Sequence, residues 1–227
     1  MILLPGEVRP RHVIIPPMDN FRRLEEIFCK FPGIGPRQAK RFVYYLLNKS
    51  PSAISEFTKL VENAKKQTHE CESCHRLFIG TNGLYGKTND EGICAICSDV
   101  SRDKTLFMVV ARDSDLESVE KSGAYKGLYF ILGGTIPILD KEPDKRVRLE
   151  LLLKNVSSQI DLKEVILSLN TTPDGENTAD IVKDALQKIL GGRGVKISIL
   201  GRGLSTGSEL EYADSDTIKN ALQNTRS

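Results

Sequence analysis

Four cysteines constrain this chain more than any other feature. Cys71-x-x-Cys74 and Cys94-x-x-Cys97 form two knuckles separated by 19 residues. Each short knuckle lets two thiolates meet one tetrahedral ion, and two knuckles close a four-thiolate shell. That is the spacing of a structural zinc site, so Zn2+ on Cys71, Cys74, Cys94 and Cys97 is the expected cofactor. A shell filled by four thiolates has no position left for water, so the ion is expected to hold structure and do no chemistry. Four unligated thiols is the competing reading. A redox Cys-x-x-Cys is weaker still, because no strand is expected to lead into either knuckle. His69 and His75 flank the first knuckle and could each replace a thiolate, although the cysteines already complete the shell. Cys29 stands alone in a helical pattern and reads as a small buried hydrophobe.

The rest of the composition is that of an ordinary globular chain, with 40% hydrophobic and 27% charged residues and no tryptophan. No apolar run is long enough to span a bilayer. The opening residues MILLPGEVRPRHVIIPP lack the basic start and long apolar core of a signal peptide and read as a partly ordered extension. Paired thiols without an export signal suggest a reducing, cytoplasmic setting. The net charge of +2 hides a gradient. Residues 1–70 carry 12 Lys/Arg against 7 Asp/Glu, residues 71–100 carry 2 against 4, and residues 101–227 carry 18 against 19. A polyanion partner is therefore expected at the N-terminal end.

Phe21, Leu24, Ile27, Phe28 and Phe31 repeat at helical spacing, with Asp19 or Asn20 as N-cap. The glycines of Pro32-Gly33-Ile34-Gly35-Pro36 allow a tight turn, and Pro36 suits the first position of a new helix. That helix, Arg37 to about Asn48, is expected to bury Ala39, Phe42, Val43, Leu46 and Leu47 and to turn Arg37, Lys40 and Arg41 outward. Helix, Gly-Ile-Gly turn and helix resemble the helix-hairpin-helix DNA-binding motif. Backbone amides at Gly33, Ile34 and Gly35 would bind a phosphate that the helix dipole favours, with Arg37, Lys40 and Arg41 reaching its neighbours. Such contacts are sequence-independent. A plain helical hairpin with solvated arginines is the alternative. A third helix, Ser52 to about Thr68, is expected to pack Ile54, Phe57, Leu60, Val61 and Ala64 into a core.

Residues 78–92 are rich in Gly, Asn and Thr and read as a loop or a hairpin around Asn82-Gly83. Beyond them, strands are expected at Thr105–Ala111, Leu128–Leu132, Glu164–Leu169 and Val195–Leu200. Helices are expected from a Ser114-x-x-Glu117 capping box and at Arg146–Val156, Asn177–Leu190 and Asp214–Leu222. The alternation argues for a mainly parallel four-stranded sheet covered on both faces, giving an α+β multi-domain chain.

The order of modules resembles the RecR family of bacterial recombination mediators over residues 20–225. The stretches that carry it are FPGIGPRQAKRFVYYLL (31–47), CESC and CAIC (71–97), GLYFILGG (127–134), EVILSLNTTPDGENTA (164–179) and LEYAD (210–214). The resemblance implies an N-terminal extension (1–19), a helix-hairpin-helix domain (20–68), a zinc finger (69–102), a Toprim domain (103–203) and a C-terminal segment (204–227). It also implies a ring-like oligomer, a tetramer in one form, on DNA of the cytoplasmic nucleoid. Such a ring would work with RecO and RecF to load RecA on gapped DNA. The 19-residue gap between knuckles and the extension before Asp19 depart from the family pattern.

A catalytic Toprim domain holds Mg2+ on a Glu after its first strand and an Asp-x-Asp after its third, because hard cations need oxygen ligands. Those positions are Ala111, Asn170 and Thr172, which argues against phosphoryl-transfer catalysis. Asp113 and Asp115 are expected at a helix start, where carboxylates suit the dipole. Asp174 and Glu176 remain as candidates for docking a basic partner or as solvated loop charges. The alternatives to a DNA-binding mediator are a metal-dependent Toprim enzyme and a protein-binding scaffold without DNA.

Overall fold

The computed structural model describes residues 19–79, 92–140, 142, 145–201 and 217–218. Residues 1–18 of the expected extension, the hairpin around Asn82-Gly83 and the LEYAD stretch lie outside them. So does the helix expected over Asp214–Leu222, except for Thr217 and Ile218, which are helical. The chain divides into two compact units, one ending at Lys66 and the other beginning at Gln67.

In the first unit, α1 (Asn20–Cys29) starts where Asp19 accepts a hydrogen bond from the Arg22 amide at 2.8 Å, satisfying one of the first-turn donors. After a turn, α2 (Pro36–Leu47) begins with Pro36 in its first turn. The two helices meet around Ala39 and Val43, flanked by edge-on ring pairs Phe28–Phe42 and Phe21–Tyr44 at 5.6 and 5.1 Å. α3 (Pro51–Gln67) follows.

The expected burial is only partly present here. Phe42 and Leu47 are 39% and 61% exposed, and Leu46 is half-buried, because one neighbouring helix covers one strip of α2. Cys29 is likewise only half-buried. α3 departs further. It has no buried residue, and Phe57, Leu60 and Val61 of its apolar stripe are exposed. Periodicity identifies residues that share a face but says nothing of what covers it.

The second unit opens with β1 (Thr68–Glu70) and β2 (Leu77–Ile79), antiparallel strands around the first knuckle, and α4 (Ala95–Ser98) at the second. A short strand thus does lead into Cys71, contrary to expectation. It continues into a turn and an antiparallel strand, whereas a thioredoxin-like redox motif sits in a βαβ pattern. Then come β3 (Asp103–Val110), α5 (Asp113–Ser122), β4 (Gly127–Ile131), α6 (Leu149–Ser158), β5 (Glu164–Ser168), α7 (Pro173–Leu190) and β6 (Lys196–Ile199). The sheet is parallel, in the order β4-β3-β5-β6.

Alternation along the strands divides the core in two. Phe107, Val109, Phe130, Leu132, Val165 and Leu167 pack with Leu152 and Val156 of α6 and Val182 and Leu186 of α7. Met108, Val110, Tyr129 and Ile131 face the other way, onto Leu116 of α5 together with Cys71, Cys74, Phe78, Cys94 and Ile96. The cysteine knuckles therefore serve as part of the cover on one face of the sheet.

Three helix starts lie two or more residues from expectation. α5 opens two residues early, with Asp115 in place of Glu117 reaching back to accept from the Arg112 amide at 2.9 Å. α6 starts at Leu149, three residues late. α7 starts at Pro173, because the Thr172 hydroxyl caps it by accepting from the Gly175 amide at 3.2 Å. Asp174 and Glu176 accordingly sit in the first turn of a helix and not in a loop.

Candidate functional site

The two knuckles converge. The sulfurs of Cys71, Cys74, Cys94 and Cys97 all lie within 4.8 Å of one another, and Cys74 Sγ is 3.6 Å from Cys94 Sγ. Zinc–sulfur bonds of about 2.3 Å in a tetrahedron would separate the sulfurs by about 3.8 Å, so the cluster fits a four-thiolate ion. Local geometry explains the convergence. The Cys71 amide donates to the Arg76 carbonyl at 2.8 Å and the His75 amide to the Cys71 carbonyl at 2.9 Å, folding the first knuckle back on itself. His75 turns this corner with a left-handed φ of 60°. The Cys94 amide donates to Cys71 Sγ at 3.3 Å, which joins the second knuckle to the first.

Electrostatics point the same way. Hydrogen bonding between Cys71 and Cys74 pulls the first thiol well below the ordinary range and pushes the second well above it. Four thiolates cannot share this space without a cation. The histidines are engaged elsewhere: His75 Nδ1 lies 2.8 Å from Glu70 Oε1, and the His69 ring packs near Phe78.

The cluster is tied to the sheet through groups that carry no sequence signal. The Ile131 amide donates to the Cys74 carbonyl at 2.9 Å, and Asn155 Nδ2 to the Ser73 carbonyl at 2.8 Å. Asp113 accepts from the Leu77 amide at 2.8 Å, so this helix-start carboxylate also anchors β2. Arg148 bridges Glu70 at 3.3 Å and the Ile131 carbonyl at 3.2 Å.

At the carboxyl end of the sheet, where ligands of open α/β sheets bind, Ala111 follows β3 and is fully buried. Asn170 and Thr172 lie between β5 and α7. Thr172 is occupied as the cap of α7, and a Cβ on Gly175 would collide with the Asn170 carbonyl. Asp174 Oδ1 stands 3.4 Å from the Ile138 amide, and Glu176 is exposed one turn into α7. Among the described residues, the thiol cluster is the one group of three or more His, Cys, Asp or Glu at metal-holding distance.

The turn between α1 and α2 brings Gly33, Ile34 and Gly35 to the start of α2. Gly33 has φ 75°, a left-handed conformation that favours glycine. Gly35 is the N-cap and has no side chain to accept from the first-turn amides. Arg37, Lys40 and Arg41 are exposed along the helix behind it. No helix among the described residues is long and apolar enough to cross a membrane.

Known proteins share these parts. The Toprim domain family matches residues 105–201, and the RecR C-terminal family matches residues 203–224. "Recombination protein RecR" of Lactobacillus acidophilus is 35% identical over 200 residues, covering 88% of this chain and 93% of that protein. The proteins of the same name from Lactococcus lactis subsp. cremoris and Chloroflexus aurantiacus are each 36% identical. They cover 89% and 90% of this chain, and 94% and 92% of their own lengths. With these relatives matched across nearly their whole length, the chain belongs to the RecR family.

Proposed function

We propose that this chain is a non-catalytic, DNA-binding mediator of recombinational repair. It acts with RecO and RecF to help load RecA on gapped DNA at the cytoplasmic nucleoid. The observation that carries the non-catalytic part is the carboxyl end of the sheet. Ala111, Asn170 and Thr172 stand where a metal-using Toprim enzyme needs carboxylates, and the Thr172 hydroxyl is already spent on capping α7. Asp174 and Glu176, beside that edge, are the residues assigned to docking a basic partner.

Cys71, Cys74, Cys94 and Cys97 would hold a zinc ion. Filling all four positions with thiolates, they would use it to fix the fold and leave it no reaction to perform. DNA is assigned to the Gly33-Ile34-Gly35 turn with Arg37, Lys40 and Arg41. The supporting fact is that residues 31–55 contain four basic residues and no acidic one. The working modules are a helix-hairpin-helix over 20–68, a finger over 69–102, a Toprim domain over 103–203 and a C-terminal segment over 204–227, after an extension over 1–19. Assembly into a ring, a tetramer in this reading, is supported by the apolar stripe of α3, where Phe57, Leu60 and Val61 lie exposed one turn apart.

The test is a fluorescence-anisotropy titration of gapped DNA over a salt series, with wild type and the double variant Arg37→Ala, Arg41→Ala. Binding should weaken on all sequences alike. The salt slope should flatten by roughly one unit for each phosphate the variant no longer neutralises. Equal affinity and equal slope in the two proteins would remove DNA from this turn and bring forward the protein-binding scaffold. Mg2+-dependent cleavage or primer synthesis that copurifies with the protein and vanishes in Asp174→Ala would overturn the non-catalytic part.

A further inference from the structure

Phosphate binding alone does not account for the outer strip of α2. α1 covers the side that holds Ala39 and Val43. Gln38, Arg41, Phe42 and Tyr45 follow one another at spacings of three, one and three residues, which puts them on a common strip one turn apart. Together they line a hollow of about 480 Å³. Tyr45 is 60% exposed, and Lys49 Nζ sits 4.2 Å from its ring centre. The strip runs on from the Gly33-Ile34-Gly35 turn, with Tyr45 about 15 Å along the helix from Gly35.

An exposed aromatic ring beside cations, on a helix that carries no acidic residue, matches one ligand chemistry. In duplex DNA the bases are already stacked on each other, and a side-chain ring gains little from them. An unpaired base has a free face, and stacking on an aromatic platform flanked by phosphate-binding cations is how single strands are held without sequence preference. We propose that this strip is a base-stacking platform for single-stranded DNA. Tyr45 stacks an unpaired base in the hollow, Gln38 offers its amide to the base edge, and Arg41 and Lys49 hold the flanking phosphates. The platform rests on the DNA-binding reading of the turn and adds to it a preference for single strands.

The chain has no tryptophan, so Tyr45→Trp introduces a single reporter where the base is expected. Its fluorescence should be quenched on adding an oligothymidylate to the full-length protein and stay unchanged with a blunt duplex. Tyr45→Ala should weaken oligothymidylate binding on the order of ten-fold and change duplex binding less than two-fold, with Tyr45→Phe close to wild type. The Arg37→Ala, Arg41→Ala protein, run beside them, separates the two readings. If it loses both DNAs while Tyr45→Ala loses neither, the turn binds DNA and the platform does not exist. If neither variant changes either DNA, both readings fall. If Tyr45→Ala loses both DNAs alike and its mass by light scattering falls as well, the strip joins copies of the chain, and the stacking proposal is overturned.

Discussion

From Gln67 onward every strand of the four-stranded sheet contributes to one of two closed clusters. The three helices before it hold two buried residues between them, Ala39 and Val43. The contrast is not one of amphipathicity, since α2 and α3 have apolar stripes as clear as those of α6 and α7. It lies in what stands opposite the stripe. α6 and α7 lie on a sheet whose strands are apolar on both faces, whereas α3 turns Phe57 and Leu60, 48% and 61% exposed, to the outside. The second unit can hold its fold from within, while the first has apolar surface left for something else to cover.

The sharpest way to break this contrast is through the thiols. Cys71, Cys74 and Cys94 belong to the same cluster as Met108, Val110 and Ile131, so losing the proposed zinc cross-link would expose one face of the sheet. Structural zinc binding supplies about 10–16 kcal/mol in small domains, comparable with the whole stability of a typical fold. Chelation, or Cys71→Ser, should therefore unfold the second unit cooperatively while the helical signal of α1 and α2 changes least. Metal analysis finding no zinc in a folded protein with reduced thiols would end this account.

A pair of leucines sharpens the comparison. Leu186, fully buried in α7, should cost about 3 kcal/mol on change to alanine, through lost burial and the cavity left behind. Leu60, in α3, should cost less than about 0.5 kcal/mol in the isolated chain, yet lower the mass of the proposed assembly by light scattering. Urea unfolding at low protein concentration checks both. Similar losses at the two sites would show that α3 is packed within its own chain.

The same contrast explains what could be read from residues alone. The four strands were legible because continuous apolar runs between helical patterns leave little choice, and the thiol cluster because its spacing is a geometric requirement. The burial of α3 was not, since a stripe does not name its cover. The start of α7 was missed because Asp-Gly-Glu reads as a turn. Here Gly175 is a helix residue, needed where the Asn170 carbonyl approaches it. Nothing in the sequence could link Asn155 to Ser73, because their bond depends on the packing of α6 beside the first knuckle. Strand order was equally hidden: β3 lies between β4 and β5 although only one of these follows it directly.

Gly175→Ala tests that approach. The added methyl would meet backbone, which cannot swing aside, so α7 must shift or its first turn must open. A loss of about 2 kcal/mol is expected in thermal or urea unfolding, within the range for overpacking a tight site. A neutral result would mean that the α7 start moves freely, and would detach Asp174 from its place beside Ile138.

The smallest expected effect concerns acid. Arg102 donates to both oxygens of Glu120, and the Tyr129 hydroxyl donates to Glu120 Oε1 at 2.7 Å. Burial pushes the Glu120 carboxyl up, but the hydrogen bonds from Arg102 and Tyr129 outweigh it and hold the group below the ordinary glutamate range. A carboxyl held lower in the folded state than in the unfolded chain adds stability above its unfolded value, and that stability is lost as pH falls through the folded one. Glu120→Gln keeps the shape and one acceptor but removes the charge. It should cost about 1 kcal/mol at neutral pH, the partial exposure of the pair limiting the loss. Below the folded value of Glu120 the wild-type group is itself neutral, so the two unfolding curves should converge in acid. A constant gap between them from neutral pH down to pH 3 would show that Arg102 and Tyr129 are satisfied by shape alone. The charge would then contribute nothing to closing the sheet face that the thiols also cover.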